Sequence, residues 1–262
     1  MNIFIKQLGG EERRITSVLD RDISRYEWKG NDHILYTRDF DGDENYHIFS
    51  VNIKTKAVKD CTPFTGVKTR IVDLLEDINP DEILVSLNKI NKEIFDVYRL
   101  NIKNGKLELV AKNPGKVTSW ITDHEGRIRI AIETDGVTTT LYHRKNEKDE
   151  FKKIVTNDFK ESLAPLLFTF DNKNLYAASN VSRDKESIIL YDLSLGKERN
   201  IIYQHPDVDV THIAYSRKRK VLTSVTFHAA KGERVFFDPI MEGIANKVQE
   251  HLAGYEIDFV SH

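Results

Sequence analysis

The sequence predicts an all-β protein built from repeated units, and three observations support this prediction. The first is a short segment, an aliphatic residue followed by an aromatic one, that recurs along the chain at a nearly constant spacing. The second is a polar turn that follows most copies of this segment. The third is a series of short runs rich in Ile, Val, Tyr and Phe and broken by Gly, Asn and Asp, which is typical of β-strands.

The recurring aromatic residues define the repeat. Successive members are 45, 49, 44, 49 and 45 residues apart, and they are Phe4, Phe49, Tyr98, Tyr142, Tyr191 and Phe236. A second segment begins each unit with the same period, at 25–28, 70–73, 118–121, 167–170 and 212–215. Repeats of about 40 to 50 residues that hold four short strands are typical of β-propeller blades. We therefore predict a β-propeller.

The spacing of the repeats predicts where each blade begins and ends. Residues 1–262 are expected to form a single propeller domain, with full blades at about 23–60, 68–112, 117–156 and 165–204. In a fifth blade, at about 210–237, a helix at about 239–252 is expected to replace the last strand. Pro239 suits the first turn of that helix, and Gly254 can end it.

The predicted helix carries one apolar stripe. Its members are four residues apart, and they are Ile240, Ile244, Val248 and Leu252. We expect this stripe to pack on the propeller itself, with docking of a partner helix as the alternative.

The two ends of the chain resemble partial blades. Residues 2–19 look like the two outer strands of a blade, and residues 255–260 look like the first strand of another. Either the ring closes through a blade that mixes both ends, or the chain is part of a longer one. The number of blades in the closed ring stays open. An unpaired edge strand favours aggregation, so closure or a partner is expected.

The composition of the chain indicates which classes of partner it can bind and in which compartment it is located. The formal net charge of −2 argues against nucleic acid, which requires a surplus of Lys and Arg on one face. No run approaches the roughly 18 apolar residues that span a bilayer, so no membrane partner is expected. The N-terminus lacks the pattern of a signal peptide. Together with a single cysteine, Cys61, these features predict a cytoplasmic protein.

The acidic segment Asp39-x-Asp41-x-Asp43 is the candidate metal site. Alternating carboxylates can bind Ca²⁺, but Glu44 and Ser50 stand where a calcium loop needs Gly and Glu. The competing interpretation is a hairpin loop that bonds to its own backbone and pairs with Arg38 or a neighbouring blade, and we predict no metal. No glycine motif for a nucleotide occurs, so no cofactor is predicted.

Three other features have both a chemical and a structural interpretation. Cys61 is either a reactive thiol or a small, partly buried residue at a strand end, and we favour the second. The basic run at 217–220 is interpreted as a solvated turn, with a phosphate contact as the alternative. Trp28 and Trp120 occupy equivalent blade positions and are assigned to core packing.

Several ordered motifs are similar to those of one family. They are DFDGDENYHIFSV at 39–51 followed by CTPF at 61–64, PDEILV at 80–85, FDVYRLN at 95–101, and VFFDP at 235–239 with the helix after it. The chain resembles the N-terminal propeller of the prolyl oligopeptidase family of serine peptidases, of the acylaminoacyl-peptidase or dipeptidyl-aminopeptidase type. The resemblance implies a following α/β-hydrolase domain that supplies the catalytic Ser, Asp and His, and a propeller that caps the active site and selects peptides.

The catalytic half of that family has no match here. A nucleophile elbow requires G-x-S-x-G, and no two of the 13 glycines lie four apart around a serine. We therefore predict no catalytic residue, and whether the chain belongs to an enzyme stays open. The predicted function is a gating and substrate-selecting propeller, with a hydrolase domain and peptides as partners. The alternative is a standalone propeller that binds proteins or peptides. A propeller enzyme acting on sugars or lactones has no ligand set in this sequence.

Overall fold

The computed structural model describes residues 1–255, 257 and 259, and it confirms the predicted fold class. These residues form six antiparallel sheets: four of four strands, one of three and one of two, together with one helix. Four-stranded antiparallel blades in series define a β-propeller fold. The chain also divides into two compact units. The first comprises Met1–Trp120, Glu125–Ile128 and Asn146–Asp149, and the second comprises the other described residues.

The first unit begins with a two-stranded sheet and continues with two blades. The two-stranded sheet contains β1 (Phe4–Lys6) and β2 (Glu12–Arg14). The first blade contains β3 (Arg25–Lys29), β4 (His33–Arg38), β5 (His47–Asn52) and β6 (Val58–Asp60) in that order. The second contains β7 (Thr69–Asp73), β8 (Glu82–Asn91), β9 (Ile94–Asn101) and β10 (Leu107–Ala111).

Three further sheets and the helix follow along the chain. The third blade contains β11 (Val117–Thr122), β12 (Ile128–Thr134), β13 (Thr139–His143) and β14 (Lys152–Asn157). The fourth contains β15 (Leu163–Phe168), β16 (Leu175–Ser179), β17 (Ser187–Asp192) and β18 (Lys197–Tyr203). The three-stranded sheet contains β19 (His212–Ser216), β20 (Val221–His228) and β21 (Gly232–Phe236), and α1 (Pro239–His251) comes after it.

Partial blades are predicted at both ends of the chain, and the structure describes the N-terminal one. The predicted pair of strands within residues 2–19 is present as β1 and β2, which pair with each other and with no other strand of the described residues. Residues 256, 258 and 260 of the strand predicted at 255–260 lie outside the described residues.

The core of the first unit is built from the middle strands of its blades. Five of the six residues of β5 and six of the ten residues of β8 are buried, and both strands contain consecutive apolar residues, such as Ile83-Leu84-Val85. One cluster of buried residues joins the first two blades: Leu35, Ile48, Cys61, Val67, Ile83, Val85, Leu87, Leu100 and Ile102. A second cluster includes Tyr36 and Phe49, whose rings stack across β4 and β5 with centroids 5.1 Å apart.

The recurring aromatic residues have equivalent places in the blades. Each of the last five lies on the third strand of its sheet, and these strands are β5, β9, β13, β17 and β21. The polar turn after this strand is also repeated. In the first blade, the Asn52 side chain accepts hydrogen bonds from the backbone N–H groups of Lys54 and Thr55, and the Lys56 N–H donates to the Asn52 carbonyl oxygen at 2.8 Å.

The same turn occurs in two more blades. Gly105 donates to the Asn101 carbonyl oxygen and Gly196 donates to that of Asp192, both at 2.8 Å. The donor residue has positive φ in all three turns, at +78° for Gly105, +64° for Gly196 and +61° for Lys56. Glycine adopts this conformation without strain, whereas a lysine there is strained.

Helix α1 begins as predicted but buries a different face. Its N-cap is Asp238, whose carboxylate accepts from the Met241 N–H at 3.2 Å, and Pro239 occupies the first turn. Met241 is buried, whereas Ile240 and Ile244 are 59% and 46% exposed. The predicted packing of the Ile240 stripe on the propeller is therefore wrong. Steps of four residues rotate about 40° each around an α-helix, so the stripe drifts away from the packed side.

The interpretation of Trp28 as a core residue is also wrong. Its side chain is 52% exposed, while Trp120 is half-buried. Trp28 lies on β3, an edge strand of its sheet, where four of the five residues are exposed. No described helix is long and apolar enough to span a lipid bilayer.

Candidate functional site

The acidic loop at 39–45 is held by hydrogen bonds within the loop and by hydrogen bonds from Arg21. The buried Asp39 carboxylate accepts from Nε and Nη2 of Arg21, both at 3.2 Å, and from the backbone N–H of Glu44 at 3.2 Å. The Arg21 hydrogen bonds hold the pKa of Asp39 below its usual range. Asp43 accepts from the side-chain amide and the backbone N–H of Asn45, which lowers its pKa as well.

These carboxylates do not converge on one point. Asp41 is exposed and has a φ of +52°, while Asp39 and Asp43 have the separate partners just given. Within residues 1–255, 257 and 259, no three His, Cys, Asp or Glu side chains are grouped so that they could hold a metal ion. The loop therefore shows the contacts of a hairpin loop that bonds to its own backbone. Its arginine partner is Arg21 and not the predicted Arg38, which donates to Asp20 at 2.7 Å.

Cys61 is a buried thiol in the core of the first unit. It is 1% exposed, and its Sγ lies 3.4 Å from the carbonyl oxygen of Ile102. Burial raises the pKa of the thiol to about 12. Because the thiolate is the nucleophilic form, this cysteine has no nucleophilic role near neutral pH.

A buried polar network lies in the second unit. Arg129 Nη1 donates to the Asn172 carbonyl oxygen at 2.8 Å and lies 3.5 Å from an Asp123 carboxylate oxygen, while Nη2 lies 3.1 Å from Nε2 of His143. Burial and the charge of Arg129 lower the pKa of His143 to about 4. His143 is thus a neutral acceptor for Arg129 near neutral pH, and we assign this network to stability.

The basic run at 217–220 forms the turn between β19 and β20. Arg219 donates to the carboxylate of Asp238, the N-cap of α1, and this pairing raises the pKa of Arg219 and lowers that of Asp238. Arg219 therefore ties the turn to the start of the helix, which is a structural role.

The main candidate site is a cleft of about 630 Å³ in the first unit, between the first and second blades. Its walls come from the first strand of each blade, β3 and β7, from β4, and from the residues before β5 and β7. Its polar lining consists of Ser24, Arg25, Tyr26, Glu27, Tyr36, Thr37, Tyr46, Lys68, Thr69 and Arg70.

The cationic groups of this cleft differ in how they are paired. Arg25 is exposed, and its guanidinium makes no ion pair with any described residue. Lys68 is half-buried, and its ammonium group lies 4.0 Å from a carboxylate oxygen of the mostly exposed Glu44. Arg70 instead stacks on the ring of Phe95, with its guanidinium carbon 4.2 Å from the ring centroid.

The cleft also has a buried hydroxyl without a partner. Thr69 is 4% exposed, and its Oγ1 makes no hydrogen bond to any described atom. A buried hydroxyl without a hydrogen bond costs about 1–3 kcal/mol. A rotation of about 120° about the threonine χ1 angle moves the hydroxyl to the position that the methyl group or the Cβ hydrogen occupied.

The sequence motifs give no indication of this cleft. In the sequence, Arg25 and Arg70 are notable only as the first residues of blade repeats. Charged residues on edge strands usually face solvent, so neither arginine indicates a binding site by itself. Both line one cleft because it is formed by two strands that begin 44 residues apart, Arg25–Lys29 and Thr69–Asp73. One signal could have found it: the repeat segments at 25–28 and 70–73 both begin with arginine, and the three later copies do not.

Comparisons with known proteins identify relatives of most of the chain. No protein-family model matches it. It is 25% identical over 244 residues to dipeptidyl aminopeptidase BIII of Pseudoxanthomonas mexicana, an alignment that covers 91% of this chain and 35% of the relative. It is 22% identical over 230 residues to dipeptidyl peptidase family member 6 of Caenorhabditis elegans, which covers 82% of this chain and 31% of the relative. The chain thus spans about a third of the length of these curated relatives.

A solved structure agrees with these matches. A prolyl endopeptidase superposes with a TM-score of 0.62 and 10% sequence identity, over 89% of this chain and 37% of that one. At this identity the likeness shows the fold alone. Together, the relatives and the fold confirm the resemblance that the sequence motifs predicted.

Proposed function

We propose that this chain, which matches a propeller domain of the prolyl oligopeptidase family, is the substrate-selecting module of a serine peptidase and is not catalytic by itself. The observation that carries the proposal is the alignment with a dipeptidyl aminopeptidase over 91% of this chain but only 35% of the relative. In this role the propeller covers the active site of an α/β-hydrolase domain, and it admits peptides while it excludes folded proteins.

The chemistry of the chain is consistent with a module that does not cleave bonds. A peptidase of this type needs an activated serine on a tight G-x-S-x-G turn, and this sequence has no such turn. The thiol of Cys61 stays protonated near neutral pH, because burial raises its pKa to about 12. The nucleophile, base and oxyanion donors therefore have to come from the hydrolase domain.

We also propose a cytoplasmic location. Its support is the single free cysteine: a chain with one thiol gains no internal disulfide bond from an oxidising compartment.

The test of the peptidase role is reconstitution. The chain is co-expressed with the α/β-hydrolase domain encoded in the same gene or in a neighbouring reading frame, and the purified complex is compared with the hydrolase domain alone. Two substrates are used, a short chromogenic peptide and casein. We expect the complex to cleave the short peptide while casein cleavage is strongly reduced. Failure of the two parts to associate would contradict the proposal, and so would equal rates of casein cleavage with and without the propeller.

A standalone binding propeller is the second candidate, and the exposed face of α1 favours it. Ile240 and Ile244 are 59% and 46% exposed on one side of this helix. Exposed apolar residues that cluster on a helix are typical of contact surfaces. Stable, specific capture of a protein other than a hydrolase by the chain would favour this function over the first.

A further inference from the structure

We propose that the cleft between the first two blades binds the carboxylate group of a peptide, through Arg25 and Lys68. The inference rests on the proposed function only in assuming that the ligand is a peptide. It specifies the chemical class that the propeller selects, namely peptides with a free carboxylate near the residue that enters this cleft.

The first argument is the charge that the cleft leaves available. Arg25 carries a permanent positive charge, and its guanidinium has no carboxylate partner in the described part of the chain. Lys68 has only a long contact of 4.0 Å to Glu44, whose side chain is 77% exposed. An exposed pair at that distance contributes little to stability, so Lys68 can exchange Glu44 for a ligand at small cost.

The second argument is the shape of the site. The cleft has a volume of about 630 Å³, which lies within the usual range for small-molecule sites in proteins. Its apolar lining, Leu35, Ile71 and Leu74, together with the rings of Tyr26 and Tyr46, suits the aliphatic part of a peptide. A peptide end therefore finds both an apolar wall and cationic groups here.

The third argument is the unsatisfied hydroxyl of Thr69. It lies in the wall of the cleft next to Lys68, and no described atom accepts or donates a hydrogen bond at Oγ1. The hydroxyl is buried as it stands, so a carboxylate in the cleft can accept its hydrogen bond only if a rotation about χ1 brings the hydroxyl to the cleft surface. The contact would remove the cost of the unpaired group, and hydrogen bonds to a charged acceptor are the stronger kind.

The negative charge of Glu27 should weaken the binding of a carboxylate, so substitutions in the cleft are expected to change affinity in both directions. Glu27 lies on the same strand as Arg25, two residues further on, so the two side chains point to the same face of the sheet. Its carboxylate repels an incoming anion. Removal of the Glu27 charge should therefore tighten binding, an effect that a misfolded variant cannot imitate.

The experiment uses the 262-residue chain labelled with ¹⁵N, titrated with three peptides at low ionic strength. They are acetyl-Ala-Pro-Ala with a free C-terminus, the same peptide as the C-terminal amide, and acetyl-Ala-Pro-Asp amide, which carries its carboxylate on a side chain. We expect the free acid to bind about tenfold more tightly than its amide, the ratio typical of one charge-assisted contact. Amide signals of Arg25 and Thr69 should shift. Tight binding of the Asp peptide would assign the site to side-chain carboxylates as well.

Four variants complete the test. Arg25→Gln and Lys68→Gln should each weaken binding of the free acid several-fold, and Glu27→Gln should strengthen it. The matched control is Lys112→Gln, which removes an exposed charge from the same unit outside the cleft and should leave affinity unchanged. Equal affinity for acid and amide, or weaker binding by Glu27→Gln, would overturn the proposal. If the chain prefers the free acid but does not associate with a hydrolase domain, only the peptidase role is contradicted. If it associates with the hydrolase domain but binds acid and amide equally, only this inference is contradicted.

Discussion

The ammonium group of Lys29 donates a hydrogen bond to the backbone carbonyl oxygen of Asn79 at 2.6 Å. Lys29 ends the first strand of the first blade, and Asn79 lies in the loop between the first two strands of the second. The same ammonium group also contacts the carbonyl oxygens of Leu74 and Leu75. The lysine is 1% exposed, and burial lowers its pKa. One side chain thus supplies donors for three carbonyl groups of the adjoining loop.

We predict that Lys29→Met destabilises the chain. The substitution keeps much of the side-chain volume but leaves three carbonyl oxygens without their donor, and a buried polar group left unpaired costs about 1–3 kcal/mol. A total loss of about 2–4 kcal/mol is expected, because the loop can turn some carbonyls toward water. Urea unfolding followed by circular dichroism measures it.

The matched control is Lys54→Met, at an exposed lysine that pairs with Asp32 on the surface at 2.7 Å. Exposed pairs contribute about 0–1 kcal/mol, so this variant should unfold near the midpoint of the unmodified chain. Equal midpoints for both variants would show that the Lys29 contacts add nothing.

A second prediction concerns the repeated turns. Lys56→Gly should stabilise the first blade by about 1 kcal/mol, because Lys56 has a φ of +61° at the position where the equivalent turns have Gly105 and Gly196. Thermal unfolding measures the change as a rise in the midpoint. The reciprocal variant, Gly105→Lys, should destabilise the second blade by a similar amount. A loss of stability in Lys56→Gly would mean that the lysine side chain makes a favourable contact that outweighs the strain.

The fold class could be predicted because its signals are local and repeated. Phe49, Tyr98, Tyr142 and Tyr191 each lie on the third strand of a blade, so the period of the aromatic residues is the period of the sheets. Each blade needs an apolar middle and a polar turn, and both leave a mark within a few residues of sequence. The start of α1 at Pro239 was predictable for the same reason.

The parts that could not be predicted depend on distant residues. A lysine at a strand end normally faces solvent, and the burial of Lys29 depends on carbonyl groups about 50 positions further along the chain. The packed face of α1 depends on where the helix meets its neighbours, which a stripe of four-residue steps does not determine. The cleft between β3 and β7 likewise arises from the packing of two blades, and no motif within either strand marks it.

A third prediction is a pH dependence at Asp39. Hydrogen bonds from Arg21 lower the pKa of this carboxyl group below its value of about 4 in the unfolded chain. The carboxylate therefore stabilises the folded state above about pH 4, and this contribution is lost as the pH falls through the folded-state pKa. Asp39→Asn should be less stable than the unmodified chain at pH 7, and the difference should shrink by about pH 3.

Urea unfolding at both pH values provides the measurement for Asp39. The control is Asp41→Asn, which changes an exposed carboxyl group in the same loop and should have little effect at either pH. A stability difference for Asp39→Asn that stays the same at both pH values would contradict the ion pair with Arg21 as its cause.

A fourth prediction concerns the reactivity of Cys61. The thiol is 1% exposed and its pKa is raised to about 12 by burial, so the fraction present as thiolate is negligible near neutral pH. We expect a maleimide reagent to label the folded chain very slowly near neutral pH and to label it at once in concentrated urea. Mass spectrometry of samples taken over time measures the rate in both conditions.

The control for Cys61 places a thiol on the surface of the same unit. A Lys112→Cys variant in a Cys61→Ala background carries its thiol at an exposed position and should react rapidly while folded. Labelling of Cys61 at the rate of this surface thiol would mean that the core around Ile48 and Ile102 opens readily. Slow labelling that accelerates only across the unfolding transition would instead show that the thiol becomes accessible when the core of the first unit unfolds.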